Sequence, residues 1–329
     1  MSNEISTVLA TVPYDEADLD QLRQAFAPAS IIHVDSSDDA EIRRVLQYAD
    51  VAVLESDLDE RFIDAPALRW VHCDHAGLTR SARAATFERG LIVTGSAGRS
   101  GPALAQHGFY FALGLLYDSR ALFESQAGHR WRDIPGYEDK LALWGKTLGI
   151  IGFGHTGREM AKLGRAFGMK VIVYRRSPAE EVSDVDVMLS ADAGDGLDPI
   201  LDEADVVMIA ANLSDETHHL IGASELRRMK SEAIMINMAR GGLIDEDALI
   251  EALVTGEIAA AGLDVYQTEP LPPDSRLWDL RNVMLTPHMT PRMPDKTQRS
   301  IDTITENVRR YRAGEPMLNA MTRRDLYTK

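Results

Sequence analysis

Three polar residues follow three short apolar runs in the second half of the chain. Arg240 comes after "AIMINMA", Glu269 sits in "QTEP" after "AGLDVY", and His288 comes after "NVMLTP". One cation, one carboxylate and one imidazole form a set suited to adding hydride to a carbonyl that stands beside a carboxylate. Hydride arriving at carbon leaves negative charge on oxygen, so a general acid must deliver a proton, and His does this near neutral pH. His288 is expected in that role. A carboxylate bonded to the imidazole favours its protonated form and fixes its tautomer, the part expected of Glu269. A planar guanidinium holds a substrate carboxylate and polarises the carbonyl, the part expected of Arg240. Taken singly, each also has a plain structural explanation: a surface ion pair, a loop acid before Pro270, a satisfied core histidine. Together, at consecutive strand ends, they favour the catalytic reading.

The elements that must position these residues are legible upstream. "GIIGFGHTGREMAKLG" places Gly152, Gly154 and Gly157 in GxGxxG spacing, after a strand pattern and at the start of a helix pattern. In that context the first glycine allows a tight turn, the second lets main chain approach a pyrophosphate, and the third lets helix and strand pack closely. Gly152, Phe153, Gly154, His155, Thr156 and Gly157 are therefore expected to cradle a dinucleotide at a helix N-terminus. About 20 residues further on, where a site for NAD carries an acid, the strand "VIVYRRS" ends in Arg175, Arg176 and Ser177. Guanidinium groups pair with phosphate. The expectation is a 2′-phosphate site, hence NADP (as NADPH) in preference to NAD, against the plainer reading of a solvated pair of arginines.

Apolar runs alternate with helix-period segments along most of the chain, the pattern of parallel strands covered by helices. The runs "TVLATV", "IIHV", "DVAVLES", "LRWVHC" and "LIVTG" make a first α/β unit to about residue 100; "TLGIIGFG", "KVIVYRR", "ADVVMIAA", "EAIMINMAR", "AAAGLDVY" and "NVMLTPH" give six strands for a doubly wound second unit, with only a polar acidic loop after "KVIVYRR". A long apolar helix around residues 100–118 and an irregular segment rich in Trp, Gly and charge join them. The last amphipathic helix has no strand to follow and is expected to pack back on another domain.

Composition narrows the possibilities further. A chain of 329 residues that is 45% hydrophobic can bury two ordinary cores, and a formal net charge of −16 disfavours nucleic acid or an anionic membrane as partner. No apolar run reaches the roughly 18 residues of a membrane span. The N-terminus lacks a signal-peptide pattern and Cys73 is the only cysteine, which favours a reducing cytoplasm. A metal enzyme is the weaker alternative. His72, Cys73, Asp74 and His75 are contiguous and His218 adjoins His219, but strand alternation splits the first pair of histidines and no second cysteine or HExxH completes a ligand set. No metal is expected.

The passages "GKTLGIIGFGHTGREMAKLGRAFGMKVIVY", "MINMARGGLIDEDALIEAL" and "AAAGLDVYQTEPLPPDSRLWDLRNVMLTPH" resemble the D-2-hydroxyacid dehydrogenase family, closely from about Lys146 to His288. Arg175 resembles its NADP-using glyoxylate/hydroxypyruvate reductases. The resemblance implies catalytic Arg240, Glu269 and His288. It also implies a loop "HAGL" whose Ala76 and Gly77 amides hold the substrate carboxylate with Arg240, and Asn212, Ala239 and Asp264 beside the cofactor. It implies an α/β fold of two Rossmann-like/flavodoxin-like parallel-sheet domains with the active-site cleft between them: residues 1–103 plus 290–329 as substrate domain, 104–289 as dinucleotide-binding domain. It further implies a homodimer through the cofactor domain, using the helix near Leu104 to Tyr117 and the arm from Trp131 to Trp144. The substrate is expected to be a small 2-oxo acid or 2-hydroxy acid, glyoxylate or hydroxypyruvate foremost. The contrasting reading is a non-catalytic NAD(P)(H)-sensing, corepressor-like protein on the same fold. Three departures stand out: Asn212 where Pro is common, Gln106 in "ALAQHG" where Glu is common, and a tail "TPRMPDKTQRS" after His288 without the usual small residues.

Overall fold

The computed structural model describes residues 3–178 and 182–329. The chain divides into two compact units, Met1–Ser100 with Arg292–Lys329, and Gly101–Pro291. The sequence reading places these limits at residues 103/104 and 289/290. The first differs because the connecting helix begins at Gly101, with Pro102 in its first turn where no intrahelical N–H is required.

The first unit holds β1 (Thr7–Ala10), β2 (Ser30–His33), β3 (Val51–Leu54), β4 (Trp70–Cys73) and β5 (Ile92–Gly95), in the sheet order β2-β1-β3-β4-β5. Every pairing is parallel, which is the flavodoxin-like order. Side chains alternate across this sheet. Leu9, Ala52, Leu54, Val71 and Cys73 enter one core, while Val8, Ala10, Val51, Val53 and Trp70 enter the other. Both faces must therefore be covered. The C-terminal helix Lys296–Ala313 covers part of the second face with Ile304, Val308 and Tyr311, one helical stripe. Tyr311 stacks on Trp70 at 5.5 Å between ring centroids. Each such side chain contributes about 1.5–3 kcal/mol on leaving water.

The second unit holds β6 (Thr147–Ile151), β7 (Lys170–Arg175), β8 (Val187–Ser190), β9 (Val206–Ile209), β10 (Ile234–Asn237), β11 (Ala260–Leu263) and β12 (Val283–Leu285). Their order, β12-β11-β10-β9-β6-β7-β8, is parallel throughout and reverses between β6 and β9, the switch point of a doubly wound sheet. The six expected strands form. The seventh, β8, corrects the reading of that region as a polar loop. It is a half-buried edge strand of four residues, too short and too little apolar to stand out against its acidic flanks. The expected connecting helix forms as Gly101–Leu116 and packs into the core through Ala105, Phe109, Phe111 and Ala112. A separate short helix, Ser119–Ala127, follows it.

Candidate active site

The GxGxxG segment forms the turn between β6 and the helix His155–Ala166. Gly152 has a φ of +100°, and a Cβ there would lie 2.5 Å from the carbonyl carbon of Ala210 and the nitrogen of Ala211, at the end of β9. Only glycine fits. A Cβ on Gly157 would lie 2.2 Å from the Gly152 carbonyl oxygen, so helix and turn meet backbone to backbone. Gly154 is different: it is exposed and its missing Cβ faces open space. Gly154 is also the N-cap, with no side chain bonded to the first-turn amides. An open glycine over a helix start suits an anion approaching main chain.

Arg175 ends β7, and its Nε is buried without a hydrogen-bond partner among the described residues. Burial holds its guanidinium below the ordinary value, and repulsion from Arg158 adds to this. Arg158, on the helix, lies over the Phe153 ring at 4.8 Å. Two positive charges therefore act on each other near the glycine turn, an arrangement that a bound anion would relieve. The main chain of Arg176 is held by Asp192 N and the Ser190 hydroxyl, while the Ser177 hydroxyl donates to Asp192 at 3.0 Å. The open glycine over the helix start fits a dinucleotide. Asn212 is exposed, with its carbonyl capped by the Thr217 hydroxyl, and the Ala239 amide donates to Asn237.

The three strand-end residues belong to neighbours in the sheet, β10, β11 and β12. His288 Nδ1 lies 2.8 Å from Glu269 Oε2, and Glu269 Oε1 accepts the Tyr266 amide at 3.0 Å. The carboxylate is thus held by both oxygens, and the imidazole is left with Nε2 for a ligand. Arg240 follows β10, and its carbonyl accepts from the Asn237 side chain. A Cβ on the next residue, Gly241, would fall 1.9 Å from the carbonyl of Tyr266, so the Arg240 loop rests directly on the loop that carries Glu269. Asp264 is buried, and its Oδ1 accepts from the Thr286 hydroxyl at 2.6 Å and the Met289 amide at 2.9 Å. The position expected beside the cofactor therefore also anchors the loop bearing His288.

In the first unit, Ala76 and Gly77 lie in the loop after β4, with Ala76 exposed and Gly77 half-buried. Below them runs a buried chain of hydrogen bonds. The Trp70 indole donates to Thr94 Oγ1; His72 bonds Thr94 through Nδ1 and Ser96 through Nε2, each at 2.9 Å; Ser96 donates to Asp74, which pairs with Arg99 at 2.7 Å. Ser96 also donates its amide to the His75 carbonyl at 2.9 Å, fixing the start of the loop. His72 and His75 turn to different partners, the latter lying 3.6 Å from Asp57, and His218 stacks on His219 at 3.9 Å. Among the described residues no group of three or more His, Cys, Asp or Glu is placed to hold a metal, and no helix is long and apolar enough to cross a membrane.

Sequence reasoning missed Arg158, His107, Thr286 and Thr290. Arg158 had a usable signal, since it directly follows the last glycine of the motif. His107 was passed over for its neighbour Gln106, which is exposed, while His107 is buried.

The family model for D-isomer specific 2-hydroxyacid dehydrogenase, NAD binding domain, matches residues 109–290. The chain belongs to this family. A glyoxylate reductase of Korarchaeum cryptofilum is 34% identical over 278 residues, 80% of each chain. A D-isomer specific 2-hydroxyacid dehydrogenase of Xanthobacter autotrophicus Py2, solved with NADPH and MES, superposes with a TM-score of 0.81 at 27% identity, covering 98% of this chain and all of that one. An NADPH-dependent glyoxylate/hydroxypyruvate reductase of Sinorhizobium meliloti, solved with NADP and sulfate, gives 0.80 at 25% identity, with 98% and 100% covered. The two parallel-sheet domains described above are those of D-2-hydroxyacid dehydrogenases, and the protein is an oxidoreductase of that family with a nicotinamide cofactor site.

Proposed function

We propose that this dehydrogenase is an NADPH-preferring reductase of a small 2-oxo acid, with glyoxylate and hydroxypyruvate as the leading substrates and the D-2-hydroxy acid as product. The contact of His288 with Glu269 at 2.8 Å carries the reading. Gly152 to Gly157 would hold the pyrophosphate, Arg175 and Arg176 the 2′-phosphate, and Asn212, Ala239 and Asp264 would line the nicotinamide side. When bound, the reduced nicotinamide supplies hydride to the substrate C2. Glu269 steadies the charged imidazole, and His288 gives its Nε2 proton to the substrate oxygen. Arg240 would hold the substrate carboxylate and orient the carbonyl before reaction, and the resemblance implies the Ala76 and Gly77 amides as further donors.

A homodimer through the cofactor domain is part of the proposal. Trp131 and Trp144 are 89% and 79% exposed and Phe123 is 68% exposed, a costly surface for a lone protomer. A cytoplasmic setting is supported by the lone cysteine, Cys73, which permits no disulfide within the chain. The test follows absorbance at 340 nm with NADPH, and separately NADH, against glyoxylate, hydroxypyruvate, pyruvate and a phenyl-substituted 2-oxo acid. NADPH-dependent turnover of one of them supports the reading. Silence across the panel with NADPH binding intact would move the reading to a 2-oxo acid outside the panel or to the sensor role.

A further inference from the structure

His107 lies inside the cofactor domain, on the helix Gly101–Leu116, with its ring stacked on Phe111 at 4.7 Å. Both ring nitrogens meet hydroxyls from the loop that carries His288: Nδ1 lies 3.0 Å from Thr290 Oγ1, and Nε2 lies 3.3 Å from Thr286 Oγ1. The donors and acceptors close in one direction. Thr286 has a single O–H, committed to Asp264 Oδ1 at 2.6 Å, so it accepts from His107 Nε2–H. In a neutral imidazole Nδ1 is then an acceptor and takes the Thr290 proton at 3.0 Å, in preference to Asp264 Oδ2 at 3.5 Å. Burial favours the neutral ring, against the pull of Asp264.

The segment so held needs holding. His288 has a φ of +53°, a left-handed conformation that disfavours any residue with a Cβ. Residues on both sides of it are fastened: Thr286 to Asp264 and His107, Met289 through its amide to Asp264, and Thr290 to His107. His288 itself is exposed and touches Glu269. We propose that His107 is a positioning residue for His288, acting through Thr290 and Thr286 to keep the 286–290 segment in the turn that aims the imidazole. The inference rests on the proposed acid role of His288, but its structural half is independent of it.

The test uses the full-length protein with Thr290→Val, Thr290→Ser and His107→Phe. Thr290→Val keeps the shape and removes only the hydroxyl, so the fold should be retained. Its kcat with the best 2-oxo acid should fall about tenfold, the effect of a small misplacement of a catalytic group. The KM and dissociation constant for NADPH should stay within about twofold, and Thr290→Ser should regain most of the loss. Amide hydrogen exchange in residues 286–290 should quicken in Thr290→Val and in His107→Phe. Unchanged kcat with unchanged exchange would overturn the proposal. Equal losses in kcat and NADPH affinity without rescue by Ser would overturn it too, by making the network a general support of the cofactor fold. A wild type that reduces no 2-oxo acid would defeat the proposed function alone, and exchange would still decide the positioning role.

Discussion

Glu269 bridges His288 and Tyr266: one carboxylate oxygen meets the imidazole Nδ1 at 2.8 Å and the other accepts the Tyr266 amide at 3.0 Å. The acid is therefore fixed in place before any ligand arrives, and it fixes the imidazole in turn. This arrangement leaves Nε2 open to a ligand and supplies a negative charge on the far side of the ring.

Glu269→Gln keeps the shape and loses that charge. Turnover of a 2-oxo acid should fall about 100-fold in kcat, at the lower end of the range of general acid–base effects. NADPH affinity measured by nicotinamide fluorescence should hold. A variant as fast as the wild type would remove Glu269 from the mechanism.

Arg175→Ala and Arg176→Ala test cofactor choice. A charge-assisted hydrogen bond contributes about 1.5–3 kcal/mol, so the KM for NADPH should rise about 10- to 100-fold while that for NADH changes little. Arg175→Ala should have the larger effect, because its Nε is buried with no partner among the described residues and the Arg158 charge acts on it. Equal increases for both cofactors would contradict a 2′-phosphate site.

The glycines of the turn separate folding from binding. Gly152→Ala combines a φ of +100° with a 2.5 Å approach to Ala210 and should destabilise by about 2–4 kcal/mol. Gly154→Ala meets nothing within 4 Å. Its unfolding free energy should stay within about 1 kcal/mol of wild type, while dinucleotide affinity drops at least about tenfold, since the methyl group occupies the place of a phosphate. Normal affinity in Gly154→Ala would show that the ligand does not approach there.

His72 should make the first domain acid-sensitive. Burial, the dominant cause, lowers its pKa from the model-compound value of 6.5 to about 4. The unfolded chain therefore binds a proton below pH 6.5 that the folded chain refuses until about pH 4. Stability from this residue is complete above pH 6.5 and is lost as pH falls toward 4, on the order of 3 kcal/mol in all. Urea unfolding between pH 7 and 4.5 should show a shallower decline for His72→Gln than for wild type. Parallel declines would assign the acid sensitivity elsewhere.

The sequence was most informative where a local pattern has one physical solution. Alternating apolar runs and helical periods require parallel sheets covered on both faces, and the two-domain α/β fold follows. GxGxxG at a strand-to-helix junction admits one turn, because Gly152 and Gly157 leave no room for a Cβ. Arg240, Glu269 and His288 could be singled out because they stand where strands end.

What the sequence left open depends on partners distant along the chain. Strand β8 is held by β7 rather than by its own weak pattern. Arg158 matters through its closeness to Arg175, across a helix and a strand. His107 and Thr290 are 183 residues apart and form one unit only after the helix Gly101–Leu116 lies against the ends of β11 and β12. Residue type and spacing thus determined which groups are present and on which strand ends they stand. The tertiary structure decided which hydroxyl each buried histidine meets and which backbone conformation His288 adopts, because hydrogen-bond direction and burial arise only when separate elements share one interior.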